Sequence, residues 1–473
     1  MCGLQDVPPL SYTFDRNQIF MKVHFIAIGG SAMHNLAIAL RKKGYTISGS
    51  DDEIFEPSKG RLAKYGLLPE KEGWNEENIH SGLDAVILGM HAKADNPELI
   101  KAGKLGLKIF SYPEFLYEQA KDKKRVVIGG SHGKTAITAM ILHVLKENNM
   151  DCDYMVGAQL EGFEVMVRLS EDASVMIFEG DEYLTSPIDR RPKFHLYKPD
   201  IALLSGIAWD HINVFPTFEN YVEQFIIFIR LITPGGKLIY CNDDEELRKI
   251  CSSIRSDIEL FPYTFVDHFI NDGITFIRFN NKNIPLKLFG RHNLLNMNGA
   301  RIVCNQLGID DERFYAAISS FKGTSKRLEL VSKNNQSSVF KDFAHSPSKL
   351  QATIKAVKEQ FPERKLVACM ELHTYSSLSK EFLSHYKGSM DLAEEAIIYF
   401  NPHALRIKKH PDLTPKEIRL GFSYEKLEIF NDSKLLSERL LAANWNNKNL
   451  LLMSSGDFGG MDIARLGEKV AGL

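Results

Sequence analysis

The stretch that decides the reading is Val126-Val127-Ile128-Gly129-Gly130-Ser131-His132-Gly133-Lys134-Thr135-Ala136. An apolar run, two glycines and a Gly-Lys-Thr that opens a helical pattern follow the order of a phosphate-binding loop. The usual loop sets four residues between its first glycine and the Gly-Lys-[Ser/Thr]. Here only Ser131 and His132 separate Gly130 from Gly133. The chemistry survives the shortening. Backbone N–H groups of a glycine-rich turn at a helix N-terminus cradle an anion, and Lys134 adds a mobile positive charge. Thr135 stands where a hydroxyl reaches a phosphate-bound Mg²⁺. The expected nucleotide phosphate site therefore comprises Gly130, Ser131, His132, Gly133, Lys134 and Thr135.

Working outward, the pattern on both sides alternates strand and helix. Upstream, "KVHFIAIGGSAMHNLAIALRKKGYTISGSD" reads as strand Val23–Ile28, a glycine turn, a helix and a second strand ending at Ser50-Asp51. Strands at Ala85–Met90 and Lys108–Phe110 follow, and "AKDKK" marks a solvated linker. Downstream, strands are expected at Arg125–Ile128, Val175–Phe178, Ile201–Ser205 and Lys237–Tyr240, with a helix around Phe218–Ile229. A last block carries strands at Ser338–Asp342, Leu366–Met370, Glu394–Tyr399 and Asn449–Met453. Such alternation argues for parallel, doubly wound α/β sheets. The glycine turn at Gly29-Gly30 lacks the third glycine of the dinucleotide fingerprint, so it is weak support for an oxidoreductase.

The bulk properties bound the function. A chain of 473 residues is too long for one ordinary core and suggests about three domains. A net charge of −2 gives no global electrostatic reason to expect nucleic acid or an anionic membrane as partner. No apolar run approaches the about 20 residues that span a bilayer. Six scattered cysteines form no CxxC pair and read as free thiols in a reducing compartment, so a cytoplasmic location is expected. Residues 1–20 lack a signal-peptide pattern and read as a disordered extension.

Several polar clusters lie where strands end. Glu179-Gly180-Asp181-Glu182-Tyr183 follows an apolar strand, which places carboxylates over the ligand crevice of an α/β sheet. Carboxylates are hard ligands that suit Mg²⁺. Alone, such a cluster is more often a solvated turn; a phosphate loop nearby favours metal, with Glu179 and Glu182 as candidates. Asp210-His211 ends another strand, where His211 is either a metal ligand or a satisfied polar group. Asn293 and Asn296 share one face at a helix start and suit an adenine edge, although an ordinary helix cap reads the same way. Arg327 follows "FKGTS", where a guanidinium clamps phosphate. Asp342 and His345 follow a strand, ahead of a helix with Pro347 in its first turn. "LLMSSGDFGGMD" ends a strand in a small-residue loop suited to close approach.

The ordered set of glycine turn, G-S-H-G-K-T, E-G-D-E, D-H, H-N-L-L-N, K-R and D-F-A-H-S-P resembles the Mur ligases, over essentially the whole chain after Met21. The resemblance implies three domains. These are a Rossmann-like, UDP-sugar-binding domain at 21–119, a P-loop ATPase-like central domain at 120–321 and a Rossmann-like C-terminal ligase domain at 322–473. It implies ATP and Mg²⁺ as cofactors and UDP-N-acetylmuramate with an amino-acid or peptide acceptor as partners. Gly29, Gly30, Ser31, Met33, Ser50 and Asp51 would border the uridine diphosphate. Lys134, His211 and Arg327 would act in catalysis, with Thr135, Glu179, Glu182 and His211 at metal. Asn293 and Asn296 would hold adenine, Asp342 the ribose, and His345 would lie in the substrate-closing interface. Several family members bridge metals with a modified lysine after the D-H motif; Tyr221–Phe228, "YVEQFIIF", contains none. The run Tyr183, Thr185, Asp189, Arg191, Lys193, Phe194, Tyr197 and Pro199 resembles the members that add a wall tripeptide (L-Ala-γ-D-Glu-meso-diaminopimelate) to UDP-N-acetylmuramate. The L-alanine-adding members are the alternative. A non-catalytic nucleotide-binding protein of the same fold is the remote one.

Overall fold

The computed structural model describes residues 21–160, 162–209, 214–253, 255–323, 328–408 and 410–472. These fall into two compact units, one reaching to Thr264 with Gly299–Ile309 added, the other formed by Phe265–Asn298 and the chain from Asp310 onward.

The first unit holds two sheets. In the smaller, the strands run in the order Thr46–Ser50, Lys22–Ile26, Ala85–Leu88, Ile109–Ser111, all parallel. Lys22–Ile26 is buried along all but its first residue, as an apolar run covered on both faces should be. The connecting helices carry their own signals. Asn96 accepts from the N–H groups of Glu98 and Leu99 at the start of helix Pro97–Lys104. Ser111 and Glu114 form a reciprocal capping box on helix Tyr112–Ala120. The larger sheet runs Glu259–Tyr263, Lys237–Cys241, Ile201–Leu204, Lys124–Gly129, Val175–Glu179, Asp153–Met155, Val167–Arg168. Only Val167–Arg168 is antiparallel. Lys124–Gly129 lies at the centre, with Ile128 opposite Glu179 and Gly129 opposite Leu204. The carboxyl ends of three parallel strands thus meet where the chain departs to either side, the place where such sheets bind ligands.

The second unit has a six-stranded sheet in the order Glu329–Lys333, Ser337–Asp342, Lys448–Met453, Lys365–Leu372, Glu395–Phe400, Glu428–Phe430. The first strand is antiparallel to its neighbour and the rest are parallel. Period-two alternation divides Lys365–Leu372 between two cores. Leu366, Ala368, Met370 and Leu372 join Leu350, Ile354 and Val357 on one face, while Val367 and Cys369 join Leu436, Leu440 and Leu466 on the other.

Besides the antiparallel edge strands Val167–Arg168 and Glu329–Lys333, one whole sheet departs from the expected parallel pattern. His268–Asn271, Ile274–Phe279 and Lys282–Leu286 form an antiparallel meander. Its turns are Asp272-Gly273 (φ +49° and +69°) and Asn280-Asn281 (φ +48° and +59°). Two-residue loops with both residues left-handed match the twist of paired strands, and Asp-Gly is a strong local signal for them. The expected strands and helix Phe218–Arg230 start and stop within a residue or two of their expected limits, whereas Asp153–Met155, Val167–Arg168, Glu259–Tyr263, Glu329–Lys333 and Glu428–Phe430 are strands that were not expected. Cys152, Cys241, Cys251, Cys304 and Cys369 are free and buried. Among the described residues no helix is long and apolar enough to cross a membrane.

Candidate functional site

The phosphate loop is braced by the neighbouring strand end. Gly130 has φ +120°, and a Cβ there would lie 2.9 Å from Ser205 N and 3.1 Å from Gly206 O. No larger residue fits without displacing that backbone. Ser131 N donates to Gly206 O (3.0 Å). Ser131 Oγ accepts from Ala208 N (2.8 Å) and bonds Tyr221 Oη (2.9 Å), while Ser205 Oγ donates to His132 O. Gly133, at φ +82°, caps the helix Lys134–Glu147. The loop amides therefore sit at the positive end of a helix, the arrangement that binds phosphate.

Two carboxylates close the site. Lys134 Nζ donates to Gly130 O (2.7 Å) and Glu182 Oε2 (2.8 Å). Glu182 is 1% exposed, and its other oxygen accepts from Tyr221 Oη (3.1 Å). Thr135 Oγ1 donates to Glu179 Oε1 (2.7 Å), and Gly157 N donates to Glu179 Oε2 (2.8 Å). Burial pushes the Glu179 carboxyl above its ordinary range, against the pull of the Gly157 and Thr135 bonds. Burial would also raise Asp181, but the Lys193 ammonium at 2.6 Å outweighs it and holds that carboxyl below its usual range. Among the described residues no three His, Cys, Asp or Glu side chains form a metal-holding cluster. The donors present, two carboxylates and a threonine hydroxyl, are hard oxygens. They fit Mg²⁺, which takes one or two protein carboxylates and completes its shell with phosphate oxygens and water. His211 and Arg327 lie outside the described residues.

In the smaller sheet of the same unit, Gly29 N donates to Asp51 Oδ2 (2.7 Å), and Ala27 N and Ile28 N both donate to Ser50 O. A Cβ on Gly29 would lie 2.9 Å from that carboxylate oxygen. Burial, with Asp52 beside it, pushes the Asp51 carboxyl up to about 6. Ser50 Oγ donates to Glu98, itself fully buried. Ser31 is exposed at the helix start, whereas Met33 is buried beneath the turn. The structure thus brings Gly29, Gly30, Ser31, Ser50 and Asp51 to one strand-end turn.

In the second unit, Asn293 Nδ2 donates to Phe289 O (2.9 Å), and Asn296 is 9% exposed on the same helix, Arg291–Gln306. Asp342 accepts from Leu328 N and Ala344 N, each at 2.6 Å. His345 Nδ1 donates to Phe343 O (2.8 Å), and its own carbonyl accepts from Tyr386 Oη.

Sequence reasoning missed three side chains that build these sites. Tyr221, on the buried face of helix Phe218–Arg230, bridges Ser131 and Glu182. Glu371, 1% exposed at the end of Lys365–Leu372, anchors the small-residue loop by accepting from Phe458 N (2.9 Å) and Ser454 Oγ. Its signal was a lone charge closing the apolar run "LVACMEL". Asn35, fully buried beside the buried His34 in helix Ser31–Lys42, is the third.

Comparison with known proteins follows this division of the chain. Residues 22–124 match the Mur ligase family catalytic domain, 128–304 the Mur ligase middle domain and 326–456 the Mur ligase glutamate ligase domain. The UDP-N-acetylmuramate–L-alanine ligase of Caldicellulosiruptor bescii is 30% identical over 432 residues, 87% of this chain and 91% of its own. That of Clostridium kluyveri is 31% identical over 81% and 84%. Among solved structures, the murein peptide ligase of Psychrobacter arcticus aligns over 96% of this chain and 99% of its own, with TM-score 0.61 and 22% identity. The UDP-N-acetylmuramate–alanine ligase of Thermotoga maritima aligns over 94% and 97%, with TM-score 0.66 and 20% identity.

Proposed function

The chain belongs to the Mur ligase family, and on that premise we propose that it is a cytoplasmic enzyme that amidates UDP-N-acetylmuramate. Mur ligases are ATP-dependent ligases that form a C–N bond. The observation that carries the reading for this chain is the meeting of Lys134, Thr135, Glu179 and Glu182 at the end of a helix-capping phosphate loop. Residues 21–119, 120–321 and 322–473 are proposed as the UDP-sugar, ATP and acceptor domains.

The chemistry follows from what a carboxylate lacks. Its oxygen is a poor leaving group, so the γ-phosphoryl of ATP is transferred to it, ADP departs and an acyl phosphate forms. The acceptor amine attacks that carbonyl, phosphate leaves with the bonding pair, and the amine proton passes to solvent or base. Lys134 and the loop N–H groups hold the phosphates as charge moves between them. A bound Mg²⁺ would neutralise phosphate charge, held by Thr135 and Glu179 with Glu182 and His211 as further candidates. Arg327 is assigned to the γ-phosphate, Asn293 and Asn296 to adenine, and Asp342 to ribose. Gly29, Gly30, Ser31, Met33, Ser50 and Asp51 are assigned to the uridine diphosphate, and His345 to the substrate-closing face.

For the acceptor, the relatives near 30% identity support L-alanine. The wall tripeptide is a second reading, favoured by the run that begins at Tyr183. There Thr185 bonds Arg191 O through both N and Oγ1, and Asp189 pairs with Arg191. Phosphate release with ATP, Mg²⁺ and UDP-N-acetylmuramate, measured with each acceptor, tests both. Turnover with L-alanine supports the first reading and turnover with tripeptide alone the second. Turnover with neither overturns the function.

A further inference from the structure

A line of hydrogen bonds, carried over one step by the Val156–Gly157 peptide link, runs from the glycine turn of the smaller sheet to the phosphate loop of the larger one, entirely within the first unit. It begins at Asn35, whose Nδ2 donates to Ser31 O (2.8 Å) just after the turn. Its Oδ1 accepts from Met166 N (3.0 Å), 131 residues away. Met166 O accepts from Val156 N (2.9 Å), which extends the antiparallel pairing of Met155 with Val167 by one rung. The next amide, Gly157 N, donates to Glu179 Oε2 (2.8 Å), and Glu179 Oε1 accepts from Thr135 Oγ1 (2.7 Å).

Asn35 is the joint of this line. A buried primary amide costs free energy unless its groups are bonded, and here both ends are used. Arg61 reinforces it. Its Nη1 reaches Asn35 Oδ1 (3.4 Å), and its Nη2 donates to Gln159 Oε1 (2.6 Å) and Glu164 O (2.8 Å). The segment that positions Glu179 is thereby tied to the helix that starts at the glycine turn. Asn35 Nδ2 also bonds Nε2 of the buried His34 (2.9 Å), while Leu36, Ala37 and Ile38 beyond it are apolar and buried.

We infer that Asn35 and Arg61 are positioning residues that couple occupancy of the glycine turn by UDP-N-acetylmuramate to the affinity of the phosphate loop for nucleotide. The inference rests on the proposed function, which assigns those two ligands to those two places. A ligand that orders Gly30 and Ser31 fixes the helix start, which fixes Asn35, the pairing of Met166 with Val156, and Glu179. Coupling of this kind is reciprocal and commonly amounts to about fivefold or more in affinity.

The test is calorimetric titration of the full chain with MgADP, with and without saturating UDP-N-acetylmuramate. In the unaltered protein UDP-N-acetylmuramate should tighten MgADP by about fivefold or more. Asn35→Ala should bring that ratio to about one while each ligand still binds. Arg61 is only partly buried, so Arg61→Met carries the test should Asn35→Ala fail to fold. Glu164→Gln is the control. The Glu164 carboxylate meets Lys42, Lys64 and Tyr65 across the same seam but stands outside the line, so the ratio should survive. A ratio of one in the unaltered protein, an undiminished ratio in Arg61→Met or Asn35→Ala, or an equal loss in Glu164→Gln overturns the inference. If UDP-N-acetylmuramate does not bind at all, the functional reading itself falls, an outcome distinct from binding without coupling.

Discussion

Lys134→Met isolates the ion pair between Lys134 and Glu182 beside the phosphate loop. Lys134 and Glu182 meet at 2.8 Å, with side chains 16% and 1% exposed. Removing one partner of a buried pair costs about 3–5 kcal/mol, because the other charge loses that counter-ion. Tyr221 still donates to Glu182, and the lysine is not wholly enclosed, so the lower end, about 3 kcal/mol, is expected. For a folding unit of this size that corresponds to a fall in Tm of roughly 6–9 °C. Glu182→Gln added to Lys134→Met removes the stranded charge yet keeps an acceptor for Tyr221, and should recover about two-thirds of the loss. Differential scanning calorimetry near neutral pH reads both variants, and phosphate release reads activity, which should be absent from both. The double variant would then be more stable than the single one and equally inactive. If it were no more stable than Lys134→Met, the reading of Lys134 and Glu182 as a buried ion pair would be refuted.

Two further outcomes follow from named positions. Gly130→Ala introduces a side chain at φ +120° against Ser205 N and Gly206 O; strain of about 1–3 kcal/mol should lower Tm. MgADP affinity by calorimetry should fall at least about tenfold, the equivalent of 1.4 kcal/mol. Gly44→Ala, also at positive φ but with open space around it, should leave binding unchanged. His195 donates through Nε2 to Gln224 O (2.7 Å), and burial holds its pKa at about 4. The folded state therefore refuses a proton that the unfolded chain accepts. This part of the stability is complete above about pH 6.5 and is lost as pH falls through 6.5 towards 4. His195→Gln should flatten the decline of Tm over that window, and an unchanged slope would place the acid sensitivity elsewhere.

What could be read without coordinates was local. Runs such as Val126–Ile128 and Val175–Phe178 announce strands buried on both faces, because apolar content and strand length are properties of the segment itself. Gly133-Lys134-Thr135 announces a phosphate site for the same reason: the loop amides, helix end and lysine are contiguous. The Asp272-Gly273 hairpin was equally local and was passed over, since the strands beside it are short and half exposed.

The sequence by itself determined the α/β class, the glycine-capped start of helix Lys134–Glu147 and the family, each written in short stretches or in their order. Only the tertiary structure decided which strands lie side by side, and with that which distant side chains meet. Ile128 opposite Glu179 brings Thr135 to a carboxylate 44 residues on and Lys134 to one 48 residues on. Glu371 finds Phe458, and Asn35 finds Met166, across still longer stretches of chain. Strand order is chosen by the burial of whole faces against one another. That is a property of surfaces assembled in three dimensions, which no local periodicity encodes.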